Sequence, residues 1–247
     1  MGEIIMGKTF PLNFQNLFEI NTTPGATTAT WARIASGISS CTPANNENVD
    51  QTAYLDGDGF GSSDVIGMQK TYAFSGHRVV GDTAQDYILN ELQETLGDNR
   101  KTQIRHTDAN AKIITGDCTV CNIVEGGGDA NAKTEISFEV HINGKPEKTP
   151  ATAAHELTAT YAAGATVGTT TATATAGAED TLAYCLSGSA LAPNGGAYIF
   201  GLTSYTSAAE IKASVGQVLN LFELDANSRV VKFVAHTLVT ADIKASA

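Results

Sequence analysis

"AKTEISFEVHING", residues 132–144, decides the fold. Ile136, Phe138, Val140 and Ile142 fall on one face of an extended chain, and Glu135, Ser137, Glu139 and His141 on the other. One apolar and one polar face on a single strand mark an antiparallel sheet, packed on one side and wet on the other. The Gly-rich turn "EGGGDAN" (125–131) precedes it, and "AKIITGDCTVCNIV" (111–124) reads as its partner strand. "TQIRH" (102–106) joins through the "TDAN" turn, and "QKTYAFSGHRVV" (69–80) is a further strand.

Between these strands lies one helix, "DTAQDYILNELQETLG" (82–97). Asp82 can cap its first turn, with Gln85 three residues on as an approximate capping box. Ala84, Ile88, Leu92 and Leu96 form a stripe flanked by Tyr87 and Leu89, and Gly97 suits the stop. The pattern predicts a sheet-rich sandwich or barrel with one amphipathic helix lying on it.

The chain has 247 residues, enough for one large or two modest domains. Composition shifts near residue 150, where "NGKPEKTPATAAHE" (143–156) holds two prolines among small and charged residues. The expected division is 1–148, a linker at 149–156, and 157–247. Beyond the linker, "ELTATYAA", "GTTTATATA", "DTLAYCLS" and "GGAYIFGLTSY" are short strand-like runs. "QVLNLFELDANSRVVKFVAHTLV" (217–239) reads as a hairpin with "DANS" at its tip. Short strands at this spacing predict a C-terminal immunoglobulin-like β-sandwich, so the whole chain is expected to be mainly β.

The formal net charge is −11, from 15 basic and 26 acidic residues. Up to Lys148 there are 19 acidic and 11 basic residues, net −8; beyond it 7 and 4, net −3. A protein that grips nucleic acid through phosphates needs the opposite balance. The opening residues show no basic n-region and no long apolar run, and nothing approaches a membrane span, so a soluble product made in the cytoplasm is expected. The four cysteines are too sparse for a disulfide framework, and Cys118 and Cys121 form a lone C-x-x-C on a strand. Buried free thiols are the preferred reading over a metal site.

"YLDGDGFGSSDV" (54–65) tests as a cation or phosphate loop and fails both. Asp56, Asp58 and Gly61 fit the first, third and sixth positions of an EF-hand, but Phe60 and Gly67 occupy positions that need ligands. No Gly-Lys-Ser/Thr follows. The polar stretch from 39 to 64 shows little apolar periodicity and reads as a long flexible arm, with Tyr54, Leu55 and Phe60 as isolated apolar anchors. Catalytic constellations are missing: the five histidines are scattered, and Glu135 and Glu139 stand roughly 13 Å apart along a strand, too far for a glycosidase pair.

The order of elements resembles the tail tube (major tail) proteins of long, non-contractile-tailed bacteriophages. The resemblance rests on an apolar N-terminal arm, a long loop after the first strand, "MQKTYAFSGHRVVGDTAQDYILNEL" (68–92), and a hairpin running into "EISFEV". It covers residues 1 to about 148 by pattern and the remainder by architecture. It implies a non-enzymatic virion protein without cofactor or metal. Its copies would form stacked hexameric rings, with tape measure, tail terminator and distal tail proteins as assembly partners, double-stranded DNA passing through, and no membrane. The inter-ring contacts would fall on Tyr54, Leu55, Asp56, Asp58, Gly59, Phe60, Gly61 and Asp64. Lumen-lining acids would be Glu135, Glu139 and Asp117, for which an outer solvated face is an equal reading. The competing expectation is a surface-displayed β-sandwich that binds calcium or carbohydrate, with Tyr198, Phe200 and Tyr205 either a sugar platform or core.

Overall fold

The computed structural model describes residues 10–127 and 129–246; most of the expected N-terminal arm, residues 1–9, lies outside the described residues. The chain forms two compact units. One comprises Asn16–His106 and Ile113–Thr149; the other comprises, of the described residues, 150–246, Thr107–Lys112 and 10–15. Among the described residues, no helix is long and apolar enough to cross a membrane.

The first unit contains β1 (Leu17–Asn21), β2 (Trp31–Arg33), β3 (Ile38–Ala44), β4 (Asn48–Ala53), β5 (Gly61–Gly67), β6 (Thr71–His77), β7 (Lys101–Thr107), β8 (Ile113–Glu125), β9 (Glu135–Ile142) and β10 (Glu147–Thr149). Seven strands run in the order β2-β1-β7-β8-β9-β6-β3, with β10 added to β8. The alternation of β9 is realised: Ile136, Phe138, Val140 and Ile142 are buried. They pack with Tyr72, Phe74, Ile104, Cys118 and Val120 from neighbouring strands and with the helix.

The helix α1 (Thr83–Asp86) continues in wider π-helical turns over Tyr87–Leu92, burying Ala84, Ile88, Leu89 and Leu92. It stops short of the expected Gly97, and Leu96 is exposed. Thr95 Oγ1 donates to Leu92 O at 2.8 Å and Arg100 Nη2 to Gln93 O at 2.5 Å, so side chains from beyond the helix take the carbonyls at its end. At the other end Asp82 caps, its Oδ1 accepting from Gln85 N at 3.0 Å. Gln85 does not close the capping box. Its side chain is buried, accepts from Val79 N at 2.8 Å and donates to Ser36 O at 2.6 Å, fastening the helix start to the edge of the sheet. Arg78 joins the same corner through Asp86, and through Glu125 at 3.2 Å.

The second unit contains β11 (His155–Glu156), β12 (Ala159–Ala163), β13 (Thr169–Ala174), β14 (Thr181–Ser187), β15 (Thr203–Tyr205), β16 (Glu210–Lys212), β17 (Val218–Leu224) and β18 (Val230–Thr237). They form an immunoglobulin-like sandwich: a five-stranded sheet β11-β18-β17-β14-β15 against a three-stranded sheet β12-β13-β16. All pairings are antiparallel except β11 with β18, which is parallel. The expected hairpin is β17–β18. Its "DANS" tip is held by Asp225 Oδ1, which accepts from Asn227 N and Arg229 N at 2.8 and 2.9 Å.

Every residue of β17 is buried, because the five-stranded sheet is covered on both faces. Leu219 and Leu221 pack against Ala172, Ile211 and Leu238 inside the sandwich. Phe222 and Leu224 pack on the opposite face with Ala183, Cys185, Leu191 and Val230. The stretch "GGAYIFGLTSY" is a strand only at Thr203–Tyr205, since Gly196 and Gly201 take positive φ and turn the chain away from a straight run. Tyr205 belongs to the core. Its hydroxyl donates to the carbonyl of Ala172 (2.8 Å) and accepts from Ala172 N (3.0 Å). Phe200 is exposed, so the three aromatics weighed as a sugar platform do not share one surface role.

Two predictions follow from this packing. Gly76 of β6 sits where an added Cβ would meet Gly37 O at 2.2 Å and Ile38 Cα at 2.7 Å, at the register irregularity between β3 and β6. Gly76→Ala is expected to destabilise the first unit by about 2 kcal/mol, read as a lower denaturation midpoint. In the second unit, burial alone would raise the Asp242 carboxyl, but the Val239 N–H at 2.9 Å and the His236 ring at 2.8 Å outweigh it and hold it below the ordinary carboxylate value. Its stabilisation is therefore complete above the unfolded value, about pH 4, and is lost as the pH falls through the folded one. Wild type should exceed Asp242→Asn in stability at neutral pH, and the gap should shrink on acidification. A gap that is constant from pH 7 to 3 contradicts the assignment.

Candidate assembly interface

The segment expected as a flexible arm is a β-ribbon. Strands β3 and β6 pair within the main sheet, from Ile38↔Gly76 to Ala44↔Thr71. Beyond it the same two chain directions continue as β4 and β5, a separate two-stranded sheet from Asn48↔Gly67 to Ala53↔Gly61. The joint is built by Gln69 N donating to Asn45 O at 2.9 Å and by Asn46 Nδ2 donating to Gln69 O and Thr71 Oγ1 at 3.2 and 3.0 Å. Asn46 takes φ 44° there, a conformation that asparagine tolerates better than most residues.

Every residue from Ala53 to Ile66 is exposed. The tip turns through Leu55–Gly57, with Gly57 N donating to Tyr54 O at 3.1 Å and Phe60 N to Gly57 O at 2.9 Å. Asp58 and Gly59 take φ 51° and 83°, which close the turn. Tyr54, Leu55 and Phe60 are 60%, 105% and 82% exposed. Val49 and Val65 are cross-strand partners on one face, and both are exposed. Among residues 34–69 the charged side chains are Glu47, Asp50, Asp56, Asp58 and Asp64, with no Lys or Arg.

All eight residues expected at an inter-subunit contact lie on this one hairpin: six in its turn, with Gly61 and Asp64 on β5. The three aspartates weighed as cation ligands do not converge. Asp64 pairs with Asp50 across the ribbon, several register positions from Asp56 and Asp58. Among the described residues no group of three His, Cys, Asp or Glu side chains is placed to hold a metal ion.

The three expected lumen acids lie on the polar face of the large sheet, opposite the core. Glu135 and Asp117 are exposed. Asp117 accepts from Gln103 Nε2 at 3.1 Å. Glu139 accepts from His141 Nε2 at 2.8 Å. Hydrogen bonds from His141 and then Asn122 hold its carboxyl below the ordinary value, so it stays ionised. Cys121 lies directly across from Glu139, and Thr119 from His141. The sequence reading missed a cluster further along this face. Arg105 Nε donates to buried Glu19 at 2.7 Å, and the Arg105 guanidinium lies 4.5 Å from the Trp31 ring centre. The signal was present: in "TQIRH" and "LFEIN" polar residues alternate with core ones.

Two further histidines serve structural contacts: His106 bonds Tyr72 and Asn16, and His236 bonds Asp242 and stacks on Tyr161 at 4.0 Å. Cys41, Cys118 and Cys185 are free thiols raised by burial, to about 12, 12 and 11. Such thiols are poor nucleophiles.

The exposed tip predicts where a protease enters. Brief chymotrypsin treatment of the purified chain should cut first after Tyr54, Leu55 or Phe60. A first cut in either core, with the tip intact, contradicts this placement.

A family model described as the S-layer protein SbsC C-terminal domain matches residues 162–241. No curated protein matches the sequence. Similar solved structures include the tail of an empty gene transfer agent particle with C6 symmetry, at 12% identity over 56% of this chain and 98% of that one, TM-score 0.45. The tube-terminating cap of the anti-feeding prophage matches at 14% identity over 60% and 97%, TM-score 0.39. Domains 7, 8 and 9 of the S-layer protein SbsC match at 20% identity over 62% of this chain and 43% of that one, TM-score 0.36.

Proposed function

We propose that the chain is a structural subunit of a phage tail tube that assembles with copies of itself. The single observation that carries this reading is the β4–β5 ribbon, which presents Tyr54, Leu55 and Phe60 to solvent with no core of its own. A two-stranded ribbon is marginal in water unless something covers it. Burying one large apolar side chain contributes about 2 kcal/mol, so three anchors per copy, repeated around a ring, suffice to lock one ring to the next.

In this reading the first unit forms stacked hexameric rings around a channel, and the immunoglobulin-like unit decorates the outside. Tape measure, terminator and distal tail proteins meet the tube at assembly, and the product resides in the virion tail. The polar face bearing Glu135, Glu139 and Asp117 lines the channel. Double-stranded DNA passes without adhering, because ionised acids face it and Arg105 is engaged by Glu19.

Negative-stain microscopy tests the proposal. Wild-type protein should form rings or tubes. Leu55→Asp with Phe60→Asp should fail to stack into tubes, with a denaturation free energy within about 0.5 kcal/mol of wild type, as suits exposed positions. Wild type that stays strictly monomeric, in solution and in particles, overturns it; so do variant tubes indistinguishable from those of wild type.

A further inference from the structure

The ribbon tip carries three apolar anchors, and the charge around them says what does not receive them. Asp50, Asp56, Asp58 and Asp64 lie on the ribbon, and residues 34–69 hold no Lys or Arg. Two tips brought together would set acid against acid, which is costly. A tip-to-tip contact is also self-complementary, so it closes a pair and stops, whereas stacking ring upon ring needs two different surfaces. The receiving surface therefore lies elsewhere on the chain.

Outside residues 45–69, the first unit exposes four large apolar side chains among the described residues: Val79, Val80, Leu96 and Val124. Three of them lie toward the end of the sheet away from the ribbon. The β3–β6 ladder runs from Ala44↔Thr71 beside the ribbon to Ile38↔Gly76 at that far end. Val79 and Val80 follow β6 directly, and Val79 Cγ2 lies over Gly37, 2.8 Å from where a Cβ there would stand. Val124 stands across from Ser137, and Ser137 across from Ser75, near the same end. Val124 borders a recess of about 280 Å³ lined also by Ser39, Ser75, His77, Glu135 and Ser137, large enough to take one aromatic ring. Arg78 N donates to Thr134 O at 2.8 Å, which brings exposed Lys133 alongside. Arg78 is spent on Asp86 and Glu125, and Glu135 lies across from His77. Lys133 forms no ion pair among the described residues, so it is the cation left for a partner.

We propose that this end of the first unit is the socket for the ribbon tip of a second copy. The tip's apolar side chains would rest on Val79, Val80 and Val124, and Asp56 and Asp58 would face Lys133. The inference rests on the tube reading and names the surface that the ribbon covers there. A copy cannot fill its own socket, because residues 61 to 77 separate tip from socket by roughly 50 Å of extended chain. With the two at opposite ends of one hairpin, each added ring uses one surface and presents a fresh one, so every junction is equivalent. An exposed apolar patch beside an uncommitted cation suits an acidic, apolar partner.

Two measurements on the full chain test this. Val80→Asp with Val124→Asp changes exposed positions, and circular dichroism should show the wild-type fold. In negative stain this variant should fail to stack into tubes, as the tip variant does. Disulfide trapping locates the junction: tubes carrying both Leu55→Cys and Val80→Cys should give ladders of linked copies on a non-reducing gel, and neither single substitution should. Tubes of the Val80→Asp, Val124→Asp variant that match wild type overturn the proposal and leave the tube reading standing. So do doubly substituted tubes without ladders, and so does linkage by Leu55→Cys alone, which would put tip against tip. Wild type that forms no tubes removes the tube reading, and this inference with it.

Discussion

A β-ribbon that leaves its sheet loses the second layer, and much of this chain follows from that one constraint. Over Ile38–Ala44 and Thr71–His77 the hairpin has neighbours and a core beneath it: Tyr72 and Phe74 are buried on β6. Past Asn46 the same hairpin has only its own backbone ladder. Polar side chains there cost nothing in water. Apolar ones gain nothing until another surface arrives. Asp50 directly opposite Asp64 is unfavourable in the isolated ribbon, and a partner that brought a cation or hydrogen-bond donors to that face would relieve it. The ribbon is therefore built to be more stable covered than bare.

The same constraint explains which parts of the fold were legible. Where one face of a strand is buried, selection for the core writes a period of two into the sequence, and β9 shows it over eight residues. β4 and β5 bury neither face, so "NVDQTA" and "GSSDVIG" carry no alternation and resemble a loop. β17 buries both faces, which again erases alternation; length and the flanking turn identified it instead. The exposed apolar residues of the ribbon tip were legible because isolated aromatics in a polar segment stand out. The early stop of the helix was not, because it depends on Arg100 reaching back from outside the helical pattern. The placement of Gln85 was hidden for the same reason: its partners, Ser36 and His77, are fixed by the fold, not by sequence spacing.

On the polar sheet face, the sign of the charge matters less than the availability of cations. A phosphate backbone binds wherever Lys or Arg side chains can release its counterions. Arg105 is held by Glu19 and covers Trp31, so its guanidinium is already committed. Glu139 stays ionised because His141 and Asn122 bond it. Between them the face presents Gln103, Thr119, Ser137 and Ser75, short polar groups with no charge. Lys101, 55% exposed and paired with Asp98, and exposed Arg33 lie on the same face, so its character could not be inferred from the net charge of −11 alone.

The buried polar groups of the second unit divide by the same reasoning. Asn220 is satisfied within its own sheet, accepting from Leu191 N at 2.9 Å and donating to Ser187 Oγ at 2.7 Å, and so fixes how the 188–202 segment lies on β17. Glu223, buried in the same sheet, is satisfied too: Lys232 Nζ donates to its two oxygens at 3.0 and 2.9 Å and Gly177 N to Oε1 at 3.3 Å, tying the turn before β14 to β17. Lys232 keeps 39% of its side chain exposed, so only the carboxylate bears the full cost of burial, and removing the amine alone would leave that charge unpaired.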